Sequence, residues 1–419
     1  MALILTVSYL LLTFLSVADT FPDLAPYRIQ LILGILGAGF TGIALLMRGG
    51  VRLQKQDILM TCFTASVVLS WLPHRWFGGT LYALQSFMPL GIVFFLTALN
   101  LGSIKALKIV RVCLLGLAVY LVAHGLAGYF LSPDDSKFVM IQHEGAVTLA
   151  RLQAEGILAD PNAYAQFLLA LLPLLLLGFK ERGWFVRFTV ILPVAGLLLT
   201  GIYSTHSRGG LIGLAVLIGV AVWRRMRFAA GGLASAAIAA ALLAIGYTGG
   251  RSMSVAGGMD RLDVWSDGLG LFKGSPIWGI GYNQFPNVLR ITAHNSFLLC
   301  AAELGLIGFF FWMALLLTSG WQLHSIAAAE SSEPELRAWA NAILLSLVGF
   351  LAPGFFLSET YAPMLYLLLG MATALTRLSK ENAADSGAAP EVNYWALKTA
   401  LACCSALVLI YVMVRLRAV

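Results

Sequence analysis

Residues 161–179 read PNAYAQFLLALLPLLLLGF, a run with no charged residue in it. A helix rising 1.5 Å per residue needs about 20 mostly apolar residues to cross the hydrocarbon core of a bilayer, and this run has that length and polarity. It also carries a start signal. Asp160 stands where a helix cap accepts the first backbone N–H groups, and Pro161 occupies the first helical position, where no N–H is needed. Lys180 and Arg182 close the run at its other end.

The pattern repeats along the chain, with further apolar runs near 2–18, 28–47, 57–72, 80–99, 108–131, 188–203, 210–223, 228–247, 294–318, 338–357, 361–377 and 394–415. Hydrophobic residues make up 59% of the 419 positions and charged residues 11%, where a soluble chain carries about 25% charged. These numbers predict an all-α integral membrane protein, a polytopic helical bundle of about 12 transmembrane helices plus a final hydrophobic helix whose placement the sequence leaves open. The start, MALILTVSYLLLTFLSVADT, lacks a positive leading region and reads as a spanning anchor rather than a cleaved leader. Cys62, Cys113, Cys300, Cys403 and Cys404 fall in or beside apolar runs without metal-type spacing, as small buried hydrophobes do.

The net charge of +7 does not read as a nucleic-acid footprint, because the basic residues are bunched between spans. Four even-numbered loops hold twelve Lys and Arg, from Arg48 to Arg227, whereas the first four odd-numbered loops hold five, Arg28, Arg75, Lys137, Arg151 and Arg208. Lys and Arg resist translocation, so the count puts the N-terminus in the cytoplasm. Two long connections, 132–160 and 248–293, then lie outside. The first is acidic and is expected to act as a lid. The second divides the chain into an N-terminal transmembrane bundle 1–247, an outer catalytic loop 248–293 and C-terminal helices 294–419. A polar stretch at 378–393, LSKENAADSGAAPEVN, reads as a flexible cytoplasmic connector.

Within the second loop, MDRLDVWSDGLGLFKG sets Leu262, Trp265, Leu269 and Phe272 on one helical stripe with Asp260, Asp263 and Asp267 on the polar side. That pattern predicts an amphipathic helix at the membrane surface with Trp265 at headgroup depth. The following GSPIWGIGYNQFPN is turn-rich and lacks the third glycine and preceding strand of a nucleotide-binding loop.

Four polar clusters have no solubilising task. In Tyr203-Ser-Thr-His-Ser-Arg-Gly-Gly, Arg208 begins a helix whose dipole opposes a cation, so an anion above it explains the arginine, with a snorkelling side chain as the alternative; His206 reads as structural. In Ala293-His294-Asn295-Ser296, His294 is suited to proton transfer near neutral pH with Asn295 orienting it, or else caps the helix. Arg261 either binds phosphate or stacks on Trp265, while Lys273, Tyr282 and Arg290 in the same loop are candidate substrate contacts. Asp160-Pro161-Asn162 fits helix initiation and leaves Asn162 to face a cavity; Glu359 is a weaker candidate. No paired metal-ligand spacing, G-x-S-x-G elbow or Asp-x-Asp motif is present. We expect no metal and no cofactor.

With many spans, STHSRGG at an outer turn, then RLDVW, GSPIWGIGYNQF and AHNSF in one long loop, and DPNAYA in support, the chain resembles the O-antigen ligase and polymerase superfamily. The resemblance covers the whole chain in architecture, with the specific motifs concentrated at about 200–300. It implies a GT-C-like, multi-pass enzyme of the bacterial inner membrane that takes a glycan from an undecaprenyl-pyrophosphate carrier at a periplasmic active site. It also implies that the family's essential arginines and histidine are Arg208, Arg261 and His294. The expected reaction is inverting and metal-independent. The arginines hold the departing pyrophosphate, His294 deprotonates an acceptor hydroxyl, and Asn295 or Asn162 positions it. In the ligase branch the acceptor is a sugar of the lipid A core. The alternatives are an O-antigen polymerase, a protein O-oligosaccharyltransferase and, from another class, a transporter of a lipid-linked solute. A transporter favours ionisable groups or broken helices near the bilayer midplane.

Overall fold

The structure, a computed structural model, describes residues 1–47, 49–144, 147–223, 255–383 and 395–416. The span expected at 228–247, the arginines at 224, 225 and 227, most of the polar connector, Arg417 and the side chain of Asp260 lie outside the described residues. Each of the other expected spans coincides with a helix. Among the described residues, seven helices are long and apolar enough to cross a membrane: Pro22–Met47, Phe77–Asn100, Ile104–Leu131, Trp184–Ser204, Ser296–Ala328, Pro334–Gly354 and Trp395–Leu416. Ala2–Leu15, Pro161–Leu176 and Arg208–Trp223 are shorter apolar helices.

The chain packs as two compact units. The first comprises Met1–Gly37, Ser103–Met253 and Ala327–Pro353. Its centre is the helix Pro161–Leu176, which is apolar on every face and buried along nearly its whole length, as a helix without a polar face must be. Asp160 caps it by accepting from the N–H groups of Asn162 and Ala163 at 2.7 and 3.0 Å, and the sequence signal there is met. Small residues let neighbours close in. A side chain at Gly213 would meet Leu169 and Pro353 at 2.6 and 2.4 Å, and one at Gly210 would meet Ala165 at 2.8 Å, so Gly210 serves helix packing.

One element of this unit is a short sheet within an otherwise helical chain, and the all-α class stands. Val139–Glu144 and Val147–Leu152 pair as an antiparallel hairpin, in the connection expected to be a lid, with Val139 opposite Leu152 and both buried.

The second unit comprises Ala38–Gly102, Ser254–Ile326 and Gly354–Val419. Helix Pro363–Ala383 packs along Phe77–Asn100, with Gly370 against Phe94 and Thr97, and an ion pair fastens Pro363–Ala383 to Lys55–Leu69. Arg377 Nη2 meets Asp57 Oδ2 at 2.8 Å, both side chains are buried, and Arg377 also donates to the Ala98 carbonyl. Charges inside apolar helices are costly unless paired, and these two have each other.

Helix Val255–Gly274 forms where the amphipathic stripe predicted one. Trp265 is 2% exposed and packs edge-on to Phe355, in a cluster with Leu269, Leu298 and Ile410. Trp265 and Leu269 are covered by protein and Leu262 and Phe272 are half-buried, so the middle of the stripe packs against other helices. Asp263 and Asp267 are exposed, as expected. The final helix, Trp395–Leu416, has Trp395 beneath the Lys55 ammonium at its start and Tyr411 beside Lys273 at its end, so it runs the length of this unit. Cys300 and Cys403 are buried, whereas Cys404 is exposed.

Candidate active site

Arg208 opens helix Arg208–Trp223 in the first unit and is half-buried. The turn before it is held by its own hydroxyls. Thr205 Oγ1 accepts from the Ser207 N–H at 3.2 Å, and Ser207 Oγ accepts from the Gly210 N–H at 3.1 Å, so Ser207 caps the helix that Arg208 begins. His206 sits at φ 50, a left-handed conformation uncommon for a residue with a side chain, and its Nε2 lies 3.3 Å from the Tyr129 hydroxyl.

Sequence reading missed the residue that ties this region together. Arg151, on the second hairpin strand, is 4% exposed. Its guanidinium donates to the Thr205 carbonyl, to Gln142 Oε1 and to Asn162 Oδ1, each at 3.0 Å. One buried cation therefore joins the hairpin, the turn before Arg208 and the start of the central helix. Asn162, expected to contact substrate, has its side-chain carbonyl committed to Arg151.

The other candidates stand in the second unit, around an interruption in helix Ser296–Ala328. At Gly305 the backbone leaves helical geometry, with φ 63 and ψ −166. The turn-rich segment fills the break. N–H groups of Ile280 and Gly281 donate to the Ala302 and Glu303 carbonyls at 2.9 and 3.0 Å, and those of Leu306 and Ile307 donate to the Pro276 and Ile277 carbonyls at 2.8 and 3.3 Å. Backbone groups released by a broken helix must find partners in an apolar setting, and here an adjacent loop supplies them. The contact needs glycine. Gly279 has φ 74, and a Cβ there would lie 2.2 Å from the Glu303 carbonyl. Gly279 serves this close approach, while a Cβ at Gly281, at φ 103, would face Trp71 at 3.1 Å.

Glu303 lies buried beside the break, accepting from the Phe285 N–H at 3.0 Å and from the Tyr361 hydroxyl at 2.8 Å. Tyr282, a candidate substrate contact, is buried, with its ring 4.8 Å from that of Tyr361, and burial raises its hydroxyl above the usual range. It packs an aromatic cluster. Sequence reading passed over Glu303, although a lone carboxylate inside an apolar run is itself a signal.

The AHNSF turn is fixed by its neighbours. Asn295 is fully buried and its Oδ1 accepts from the N–H groups of Phe297 and Leu298 at 2.9 Å, so Asn295 caps the helix, the role weighed for His294. Ser296 Oγ donates to the Leu357 carbonyl and accepts from the Glu359 N–H, while the His294 N–H donates to Ser358 Oγ at 2.8 Å. His294 is thereby held at φ 48, half-buried, with Nε2 3.4 Å from Thr292 Oγ1. Residues with left-handed backbone concentrate at functional positions, and Arg290, at φ 60 and exposed, is another. Arg261 is half-buried on helix Val255–Gly274. Lys273, at that helix's last turn, lies over Tyr411 at 5.6 Å and lines a cavity of about 340 Å³ with Asp263, Ser266 and Arg415.

No curated protein matches the chain. A family model described as O-Antigen ligase matches residues 193–313, a stretch that contains Arg208, Arg261, Lys273, Tyr282, Arg290, His294 and Asn295. By that match, the segment 193–313 is similar to the O-antigen ligase family, consistent with the O-antigen ligase and polymerase superfamily.

Proposed function

We propose that the protein is an inverting glycosyltransferase of the bacterial inner membrane that transfers O-antigen polysaccharide from undecaprenyl pyrophosphate to a sugar hydroxyl of lipid A-core, on the periplasmic side. The observation that carries this reading is the family match over 193–313, which takes in every residue named for catalysis. The donor and acceptor are lipids, in keeping with a chain whose described residues include seven helices apolar enough to cross a membrane.

In this reaction Arg208 and Arg261 hold the pyrophosphate through charge-assisted hydrogen bonds, which strengthen as negative charge builds on the leaving group. A guanidinium suits the task because its planar fork matches phosphate oxygens and stays charged. His294 accepts the proton of the acceptor hydroxyl as that oxygen bonds to the anomeric carbon, and the glycosidic bond to pyrophosphate breaks on the opposite face. The rigid turn around His294 favours this role, because a base is effective only when held within hydrogen-bond reach of its proton. Arg290 and Lys273, both exposed, suit contacts to the donor's anionic portion. Asn295 and Asn162 act as positioning residues through the helix cap and through Arg151.

The test is transfer by purified protein in detergent, with an undecaprenyl-pyrophosphate glycan and lipid A-core in the presence of a chelator. Arg208→Ala is expected to lower the rate by at least about a hundredfold, the scale of removing one preorganised donor to a developing anion. His294→Asn, chosen because asparagine tolerates the left-handed backbone, should do the same. Elongation of glycans on their carrier, with none on lipid A-core, would replace the ligase reading with a polymerase.

A further inference from the structure

Helix Ser296–Ala328 begins beside His294, and its far end borders a cleft that glycan transfer does not use. The cleft has a volume of about 490 Å³ and lies between that helix, the start of Trp395–Leu416 and the start of Lys55–Leu69. By the count of loop charges Lys55 belongs to a loop assigned to the cytoplasm and His294 to the outer connection, so the cleft is expected at the leaflet opposite His294.

Its lining combines two chemistries. Leu316, Leu317 and Ala402 make an apolar wall. Lys55, Lys398 and His324 supply basic groups, and no carboxylate lines the cleft among the described residues. Each lysine is steered by an indole: Lys55 Nζ is 3.7 Å from the centre of the Trp395 ring, and Lys398 Nζ is 4.8 Å from that of Trp321. Trp321 is itself 55% exposed, as an interfacial tryptophan is.

Lys55 is also the first residue of its helix, where the dipole opposes a cation and where Gln54 and Asp57 already cap the backbone. Two ammonium groups beside an apolar wall make a site for a phosphate that carries an acyl chain. Basic pockets between membrane helices hold anionic lipid headgroups for the same reason.

We propose that this cleft binds an anionic phospholipid, with Lys55 and Lys398 holding its phosphate and Leu316, Leu317 and Ala402 receiving an acyl chain. Free phosphate satisfies the lysines but leaves the apolar wall unfilled, which favours the lipid.

The experiment measures lipid retention by native mass spectrometry of the full chain released from detergent, titrated with dioleoylphosphatidylglycerol or with dioleoylphosphatidylcholine. Melting temperature is followed in parallel with each lipid and with inorganic phosphate. The wild type is expected to retain the anionic lipid at least fivefold better than the zwitterionic one. Lys55→Gln/Lys398→Gln should remove that preference, and Lys55→Arg/Lys398→Arg should keep it. Lys105→Gln/Lys180→Gln, which neutralises two exposed lysines outside the cleft, should leave it unchanged. Lys398 is exposed, so Lys398→Glu tests the charge without threatening the fold and should lower retention at least fivefold. Equal retention of the two lipids by the wild type, or unchanged preference in Lys398→Glu, overturns the proposal. Stabilisation by inorganic phosphate equal to that by the anionic lipid also overturns it, in favour of a free-phosphate site.

Discussion

Arg151 shows how far a single position can be read. In the sequence it is one of five basic residues in the odd-numbered loops, and nothing separates it from a solvated charge. In the fold it is buried with three acceptors on three different segments. Hydrogen bonds to a charged group contribute about 1.5–3 kcal/mol each, and acceptors left dry after its removal add a desolvation cost. Arg151→Met is therefore expected to destabilise the protein by about 3 kcal/mol or more, read as a drop in melting temperature in detergent. Glycan transfer should fall as well, because Thr205 anchors the turn that presents Arg208. An unchanged melting temperature would reduce Arg151 to a surface charge. Arg208, Arg261 and His294 each sit in a short motif that sequence reading can single out as a candidate, whereas the partners of Arg151 are 9, 11 and 54 positions away and no local pattern announces them.

At the scale of the element, hydrophobic runs announced the helices because nearly every residue of a membrane helix repeats the same signal. Interruptions are carried by one or two residues and are silent. Gly305 reads as an ordinary glycine of a membrane helix, and only its contact with Ile277 shows it as a break. The hairpin did leave a trace. After Gly145-Ala146, Val147 and Leu149 alternate with Thr148 and Ala150, but the first strand, with Met140 between Val139 and Ile141, shows no alternation, and the pattern is short. The break gives the sharper prediction. Gly279→Ala and Gly305→Ala each add a Cβ within 2.3 Å of backbone on the other strand, at a positive φ. Both variants should lose most folded protein, measured by size-exclusion recovery. Gly270→Ala, in helix Val255–Gly274 with nothing within 4 Å, should be neutral or stabilising by up to about 1 kcal/mol. Equal recovery of all three would mean that the loop does not enter the helix break.

For the whole molecule, composition and the count of loop charges bound the class and an expected orientation, but packing decides which segments keep company. Stretches from near both ends of the chain share a unit, an arrangement that no local pattern encodes. The last helix illustrates what packing adds. Its apolar length left open whether it crosses, since crossing puts Arg415 on the side with fewer basic residues. Its start lies at Lys55, in a loop assigned to the cytoplasm, and its end lies at Lys273 and Asp263, on the helix of the long outer connection. A helix of 22 residues joining those two levels has the length of a full span. In a cysteine-free background, single cysteines at Leu397 and Leu416, both exposed, should react with a membrane-impermeant maleimide from opposite sides of sealed vesicles. A third at Val288, exposed in the short helix Phe285–Leu289 of the outer connection, should react from the same side as Leu416. Labelling of 397 and 416 from one side would mean that the last helix lies along the membrane, and the cleft at its start would then lose the wall that Trp395 and Lys398 provide.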